Sequence, residues 1–91
     1  MPGACQSMYY VYILRSKVDD NFYVGFAENL KRRLTEHSNG AVKSTKRRRP
    51  LVLLCYEAYA TKRDALRRER YLKSSDGRKE LRIRLDTVLA G

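Results

Sequence analysis

The 91-residue sequence contains no tryptophan, one histidine and two cysteines. A single histidine excludes catalytic and metal sites that need several imidazoles. Cys5 and Cys55 form no C-x-x-C pair, so the sequence indicates neither a disulfide framework nor a zinc site. A reducing compartment is the default for such a chain, and we predict a cytoplasmic location.

Long apolar runs are also missing. No run approaches the roughly 20 residues of a membrane-spanning helix. The first seven residues, MPGACQS, lack the basic start and apolar stretch of a signal peptide, so we interpret residues 1–7 as a loose lead-in. No repeat or second domain is visible, which predicts one small domain over residues 8–91.

Acidic residues are few compared with basic ones. The chain has 20 Lys/Arg against 10 Asp/Glu and a net charge of +10. This balance favours a polyanionic partner, and nucleic acid is the commonest one. The alternative is a basic domain without such a partner. A hydrophobic content of 43%, with seven tyrosines and two phenylalanines, argues against disorder.

Hydrophobic patterning predicts three strands. Residues 8–16, MYYVYILRS, are rich in aromatic and β-branched residues and predict a strand. Residues 22–26, FYVGF, alternate in the manner of a second strand, and the turn SKVDDN between the two predicts a hairpin. Residues 51–59, LVLLCYEAY, predict a third strand. Because the first residues of this strand are apolar on both of its faces, we expect both faces to be covered at that end.

Three helices complete the predicted order ββαβαα. Asn29 is the expected N-cap of the first helix, and Gly40 its left-handed stop. TKRD, residues 61–64, is a capping pattern that opens the second helix. The last helix is expected over residues 78–90, after a break at SSDG. The prediction is an α+β domain with a three-stranded antiparallel sheet flanked by helices.

Ionisable side chains fall on the apolar stripes of two helices. Counted from Leu30, Arg33 lies at about −60° and His37 at about −20°, near Leu34 at about 40°. Glu69 lies inside the apolar arc of the second helix at about 40° from its centre. Each has a purely structural explanation. Arg33 could extend its charged end to the edge of the core, and His37 could be half-buried with its hydrogen bonds satisfied. Glu69 could form a salt bridge with Arg33. Together they indicate a site, because ionisable groups held in a cleft usually mark one.

The hairpin adds two tyrosines and a glycine. Tyr12 and Tyr23 share one face of the sheet if the strand register allows it. Gly25 leaves the backbone open to a close approach near the start of the first helix. We therefore expect structural roles beside the site for Gly25 and for the cap Asn29.

These residues together resemble the GIY-YIG nuclease family. The resemblance rests on YVY at residues 10–12, YVG at residues 23–25, and then Arg33, His37 and Glu69. It extends from about Met8 to Leu85 and is greatest to the small stand-alone bacterial members. The chain also resembles the nuclease domains found within the bacterial repair excinuclease and the intron homing endonucleases.

The resemblance implies roles for five residues. Tyr12 would help to deprotonate the attacking water, Tyr23 would orient the water or the phosphate, and Arg33 would steady the phosphate. His37 would assist proton transfer or contact the phosphate. Glu69 would hold one divalent metal, Mg²⁺ or Mn²⁺. The implied products carry a 5′-phosphate and a 3′-hydroxyl.

The sequence departs from the family pattern in two places. The first tripeptide is Tyr-Val-Tyr and lacks the family's glycine. Many members also have a polar residue, often asparagine, late in the domain near the metal, whereas this chain has no asparagine after Asn39. That role is either empty or filled otherwise, with Ser44, Thr45 and Lys46 as candidates to reach the site.

Residues 43–49, KSTKRRR, form a basic loop. One interpretation is a solvated loop, and the other is a phosphate clamp beside the site. The second helix would extend the clamp with more basic side chains. The predicted nucleic-acid-binding residues are Lys43, Lys46, Arg47, Arg48, Arg49, Arg67, Arg68 and Arg70, with Lys73 as a further one.

The resulting hypothesis is a metal-dependent DNA endonuclease that acts in repair or recombination. Contacts to phosphate carry no sequence information, so a preference for branched, nicked or flapped DNA is more plausible than a sequence site. Two alternatives remain open: a basic DNA- or RNA-binding module on the same fold with little catalysis, and an RNA-binding or ribosome-associated protein. A protein partner that targets the domain is not visible in the sequence.

Overall fold

The computed structural model of the chain describes residues 7–87. Residues 1–6 of the predicted lead-in, and the predicted last helix beyond Thr87, lie outside the described residues. None of the helices within residues 7–87 has the length and apolar character needed to cross a membrane. The elements are β1 (Tyr9–Ser16), β2 (Phe22–Ala27), α1 (Leu30–Ser38), a short 3₁₀ turn (Lys46–Arg48), β3 (Leu51–Tyr59), α2 (Lys62–Leu72) and α3 (Ser75–Arg84).

The three strands form one antiparallel sheet in the order β2-β1-β3. This arrangement and the element order confirm the predicted α+β fold and its ββαβαα order. Tyr12 of β1 is opposite Gly25 of β2, and Leu14 is opposite Tyr23. Because side chains alternate between faces, this register confirms that Tyr12 and Tyr23 lie on the same face.

The central strand β1 supplies apolar side chains to both faces of the sheet, and each face has its own core. On one face the helices α2 and α3 bury a larger core. It contains Val11, Ile13, Phe22, Val24, Ala65, Leu72, Leu81 and Leu85. On the other face α1 packs through Leu30 and Leu34 against Tyr12, Leu14 and Ala27. The second face carries the candidate site.

Helix ends follow the local signals in the sequence. The Asn29 side chain accepts a hydrogen bond from the Arg32 amide at 3.0 Å, and Thr61 accepts one from the Asp64 amide at 3.2 Å. Gly40 has a φ of 78°, which an L side chain rarely adopts. The predicted caps of α1 and α2 are confirmed.

The predicted start of the last helix is wrong. Helix α3 begins at Ser75 rather than at Arg78, and Ser74 caps it by accepting from the Gly77 amide at 3.2 Å. Gly77, counted as a breaker in the sequence, lies inside the helix. A Cβ there would stand 2.1 Å from the Tyr71 carbonyl oxygen, so the glycine allows α3 to pack closely on the end of α2.

The expectation that the start of β3 is covered on both faces is also wrong. Strand β3 is an edge of the sheet, and Val52 and Leu53 remain 39% and 38% exposed. Helices α1 and α2 cover the middle of the sheet and leave this end of the strand to solvent. An apolar run shows that a strand can be buried, but not where the strand lies in the sheet.

Candidate active site

Gly25 makes room for the Tyr12 ring at the centre of the site. A Cβ at residue 25 would lie 2.3 Å from Tyr12 Cζ and 2.4 Å from its hydroxyl oxygen. The Tyr12 ring therefore crosses directly over the β2 backbone. The close approach that the sequence predicted at Gly25 comes from the protein's own tyrosine.

Three rings meet beyond this crossing. The Tyr12 hydroxyl lies 2.7 Å from His37 Nε2, in a buried hydrogen bond. The His37 ring is edge-on to Tyr12 and to Tyr23, with centroid distances of 5.5 Å and 5.2 Å. Helix α1 thus delivers the chain's single histidine to the face on which β1 and β2 present their tyrosines. The fold brings together three of the five residues proposed as catalytic.

The basic loop closes the site from the other side. Thr45 Oγ1 lies 2.7 Å from His37 Nδ1, and Thr45 is fully buried. The neighbouring Ser44 hydroxyl donates a longer hydrogen bond, 3.4 Å, to the Tyr23 hydroxyl. Two consecutive loop residues therefore contact two different groups of the site. The sequence indicated both only as candidates to reach it.

Burial sets the protonation of the two bonded groups. Burial raises the pKa of Tyr12 to about 12, partly opposed by the nearby Arg33 guanidinium. Burial and then the positive charge of Arg33 hold the pKa of His37 below its usual value. At neutral pH both side chains are therefore neutral, with the phenol protonated. The site at rest is a neutral hydrogen-bonded chain with a cation at its edge.

Arg33 lies beside the Tyr12 hydroxyl. The pKa of Arg33 is raised first by its interaction with Tyr12 and then by Glu36. Its Nη1 lies 3.1 Å from Glu36 Oε1, in a partly exposed pair one helical turn away. An exposed pair of this kind contributes little free energy and is easily exchanged for another anion. Arg33 is therefore available to a phosphate group at the mouth of the site.

Glu69 approaches from α2. Its side chain is 19% exposed and pairs with Lys73 at 3.0 Å. Its negative charge contributes to the raised pKa of Tyr12, which places the carboxylate within electrostatic reach of the hydroxyl. Among the salt bridges of residues 7–87, Glu69 pairs with Lys73 and Arg33 pairs with Glu36. The structural alternative of a Glu69–Arg33 bridge is therefore wrong.

Glu69 offers a single carboxylate to a cation at this edge of the site. Within residues 7–87 no group of three or more His, Cys, Asp or Glu could hold a metal ion. A divalent metal at this place would have the Glu69 carboxylate as its protein ligand and water in most other positions. Mg²⁺ prefers such a shell, because it keeps several waters and binds through one or two carboxylates.

The basic loop contains two kinds of cation. Lys43, Lys46 and Arg47 are exposed, and none of them forms a salt bridge within the described part of the chain. Arg48, by contrast, lies 2.9 Å from the Asp19 carboxylate, and its pair lowers the pKa of Asp19. Arg49 donates to the carbonyl oxygens of Lys46 and Ser38. Arg48 is therefore the loop cation whose charge is neutralised by a carboxylate, whereas Arg49 remains exposed.

The cations of α2 are also of two kinds, one partly buried in a salt-bridge cluster and the others exposed. Arg68 points to the α3 side of the helix, where it pairs with Glu57 at 2.9 Å and with Glu80, and is only 21% exposed. Its guanidinium is occupied away from the site, so we leave Arg68 out of the phosphate-binding surface. Arg67 and Arg70 are exposed, and Arg67 lies 3.8 Å from Asp64.

The chain is similar to proteins of one known family. The model of the GIY-YIG catalytic domain family matches residues 8–82. The UPF0213 protein SSP2268 of Staphylococcus saprophyticus is 38% identical over 82% of this chain and 92% of its own length. The UPF0213 protein CPE1444 of Clostridium perfringens is 39% identical over 84% of this chain and 82% of its own.

A solved structure is also similar. The solution NMR structure of the UPF0213 protein BH0048 from Bacillus halodurans is 34% identical, covers 81% of each chain and superposes with a TM-score of 0.53. The resemblance seen in the tyrosine tripeptides is confirmed by a family match over most of the chain. The protein belongs to the GIY-YIG catalytic domain family, and its relatives are small UPF0213 proteins of bacteria.

Proposed function

We propose that this protein is a metal-dependent endonuclease that hydrolyses DNA phosphodiester bonds and selects its substrate by structure. The observation that carries the proposal is the buried Tyr12–His37 hydrogen bond of 2.7 Å, with Arg33 and Glu69 at its edge. A module that only bound nucleic acid would gain nothing from a carboxylate inside a basic surface. Family membership makes DNA the expected substrate.

Arg33 is the proposed phosphate ligand. Its guanidinium can exchange the half-exposed Glu36 carboxylate for a phosphate oxygen. It can then stabilise the negative charge that develops on the oxygens of the scissile phosphate. Arg33 also lowers the pKa of Tyr12, so it favours the phenolate. A single cation can therefore hold the scissile phosphate and assist the base beside it.

Tyr12 is the proposed base for the attacking water, and His37 is its proton acceptor. A pKa of about 12 leaves roughly one Tyr12 in 10⁵ ionised at pH 7. His37 Nε2 already contacts the hydroxyl and can take its proton as the phenolate takes one from water. Tyr23, whose ring lies 6.4 Å from that of Tyr12, is the residue proposed to orient the water or the phosphate.

Glu69 is the residue that would hold the divalent metal, as its partly exposed carboxylate allows. Bound Mg²⁺ or Mn²⁺ would supply positive charge against the phosphate and the leaving oxygen. The carboxylate must first release Lys73, an exposed partner one turn along α2. Such a pair is worth at most about 1 kcal/mol, so the exchange costs little.

The exposed cations favour recognition of shape over sequence. Lys43, Lys46 and Arg47 come from a loop, and Arg70 comes from the outer side of α2. Contacts from such cations to phosphate carry no sequence information. The proposed substrates are branched, nicked or flapped DNA, and the proposed role is in repair or recombination.

Two observations favour a weaker alternative, a DNA- or RNA-binding module with little catalysis. The pKa of Tyr12 is about 12, far from the working range of a base, and Glu69 is paired with Lys73 rather than open. The two functions differ in what Glu69 does. A binder would lose nothing if its charge were removed.

Glu69→Gln tests the proposal. We expect Mg²⁺- and Mn²⁺-dependent cutting of nicked or branched DNA to fall by at least about 10²-fold, because the amide keeps the shape but loses the charge that holds a hard cation. The melting temperature should change little, since only the exposed Lys73 pair is lost. DNA affinity in chelator should be equal or slightly higher.

Glu28→Gln is the matched control. It removes the same charge from an exposed carboxylate that lies 3.8 Å from Lys62. A stable Glu69→Gln protein that cuts as well as wild type would exclude the metal role. A wild-type protein that cuts none of the nicked, branched or single-stranded substrates with either metal would favour the binding module.

A further inference from the structure

We propose that Thr45 is a positioning residue that fixes the tautomer of His37, leaving Nε2 as a bare acceptor for the Tyr12 proton. The proposal deepens the proposed function and rests on it for its catalytic meaning. Its structural basis is a ring held between two hydroxyls, Tyr12 at Nε2 and Thr45 at Nδ1, each at 2.7 Å. His37 is 2% exposed and Thr45 is fully buried.

A neutral imidazole carries only one N–H, so the two hydrogen bonds must run in a definite sense. In one arrangement Nδ1–H donates to Thr45 Oγ1, and Nε2 accepts from the Tyr12 hydroxyl. In the other, Thr45 donates to Nδ1, and Nε2–H donates to the Tyr12 oxygen. Only the first leaves His37 able to receive a proton from Tyr12.

The charge of Arg33 adds to the preference for the first arrangement. Arg33 is near enough to lower the pKa of the Tyr12 phenol, and a guanidinium can only donate a hydrogen bond. If Nε2–H also donated to that oxygen, the buried Tyr12 proton would point at two donors and have no acceptor beside it. With the Arg33 charge beside the oxygen, the phenol proton goes to Nε2 and the ring proton goes to Thr45. The first arrangement, with Nε2 as the acceptor, therefore avoids the cost of burying a Tyr12 hydroxyl whose proton has no acceptor.

The tautomer has a direct consequence for the proposed chemistry. The Tyr12 O–H bond breaks and an Nε2–H bond forms, which gives a phenolate and an imidazolium. The phenolate then takes a proton from the attacking water, and the imidazolium keeps its Nδ1–H on Thr45. Thr45 touches neither water nor phosphate in this scheme. It acts through His37, by holding the ring and its proton in place.

The position of Thr45 adds a link to DNA. The same loop carries the exposed cations Lys43, Lys46 and Arg47. The segment proposed to contact phosphate is therefore the one that holds the tautomer of the histidine.

The test uses the fact that His37 is the only histidine of the chain, so its ring signals need no assignment. Nitrogen-15 NMR of the DNA-free protein, above the His37 pKa, reports which ring nitrogen carries the proton. We expect wild type to show the Nδ1–H tautomer. Thr45→Val removes only the hydroxyl and should shift the ring toward Nε2–H or a mixture. Thr45→Ser should restore the wild-type spectrum.

Cleavage provides the second measurement. Thr45→Val should slow single-turnover cutting by about 10- to 100-fold, as expected for a group that orients a catalytic imidazole, with DNA affinity unchanged. Thr45→Ser should recover most of the rate.

Three results would overturn the proposal: an Nε2–H tautomer in wild type, an unchanged tautomer in Thr45→Val, or a Thr45→Ser protein as slow as Thr45→Val. The wild-type spectrum decides even if Thr45→Val fails to fold. It also needs no cleavage, so a protein that holds the Nδ1–H tautomer but never cuts DNA would refute the proposed function and leave the tautomer assignment standing.

Discussion

The two faces of the sheet each carry a polar cluster, and the clusters are built differently. On the α2/α3 face, Arg68 joins the carboxylates of Glu57 and Glu80, and Arg84 contacts Glu57 at 3.0 Å. Burial alone would raise the pKa of Glu57, but its hydrogen bonds and the two guanidiniums outweigh burial and hold it below the usual value. Every charge in this cluster faces an opposite one.

On the α1 face the buried chain of Tyr12, His37 and Thr45 is neutral. Its charged neighbours, Arg33 and Glu69, lie at the rim and pair only with exposed partners on their own helices. Each of these two charges pairs with a neighbour on its own helix rather than with the other. A closed ionic network stabilises a fold, whereas a neutral chain flanked by exchangeable charges can receive an anionic substrate and a cation.

Tyr12→Phe tests most directly whether the polar cluster on the α1 face serves catalysis rather than stability. We expect cleavage to fall by about 10²-fold or more, because the hydroxyl that contacts His37 is lost while the ring still packs over Gly25. The free energy of unfolding should fall by only about 1–2 kcal/mol, the usual cost of leaving one buried acceptor without a partner. Single-turnover cleavage and urea denaturation measure the two effects. Wild-type cleavage in this variant would reduce Tyr12 to a core residue.

Arg68→Met should show the opposite pattern. The unbranched side chain fills much of the same space, but Glu57 and Glu80 lose the guanidinium they share. We expect a loss of about 2–3 kcal/mol in the free energy of unfolding, below the usual cost of breaking a fully buried pair because the cluster keeps some solvent access. DNA affinity and its salt dependence should stay at wild-type values below the melting transition. A weaker salt dependence would return Arg68 to the phosphate-binding surface.

Local signals in the sequence were enough for the fold. Asn29 and Thr61 mark helix starts because their side chains reach amides two or three residues away, and strand alternation needs only neighbours. The start of α3 was missed because Gly77 reads as a breaker, although its role is close packing against Tyr71. The exposure of Val52 was missed because the edge position of β3 depends on the whole sheet.

Some residues of the candidate site could likewise be predicted from the sequence, and others could not. Arg33, His37 and Glu69 could be found because ionisable groups on apolar stripes are anomalous within a single helix. Thr45 could not be singled out, since its contact with His37 depends on the path of the loop. Arg68 and Glu69 are neighbours in sequence but lie about 100° apart around α2. Periodicity gives that angle but not which of the two side chains turns toward Glu57 and Glu80.

The smallest expected effect lies within the basic loop, where Arg47 and Arg48 form a natural matched pair. Arg47 is exposed and makes no salt bridge within residues 7–87, whereas Arg48 is bound to Asp19. Arg47→Ala should weaken DNA binding for all sequences. The slope of log affinity against log salt should shrink by up to about 0.9, the value for one lost phosphate contact. Its melting temperature should not change.

Arg48→Ala should leave the salt slope alone, because the Asp19 carboxylate already neutralises this guanidinium. It should instead lower stability by at most about 1 kcal/mol, the worth of a partly exposed ion pair. Fluorescence anisotropy with labelled nicked duplex in chelator, at several salt concentrations, measures both slopes. If both variants lose the same slope, the Asp19 pair opens on DNA and the whole loop is the clamp. If neither does, the loop serves the site through Thr45 alone, and the phosphate contacts come from α2.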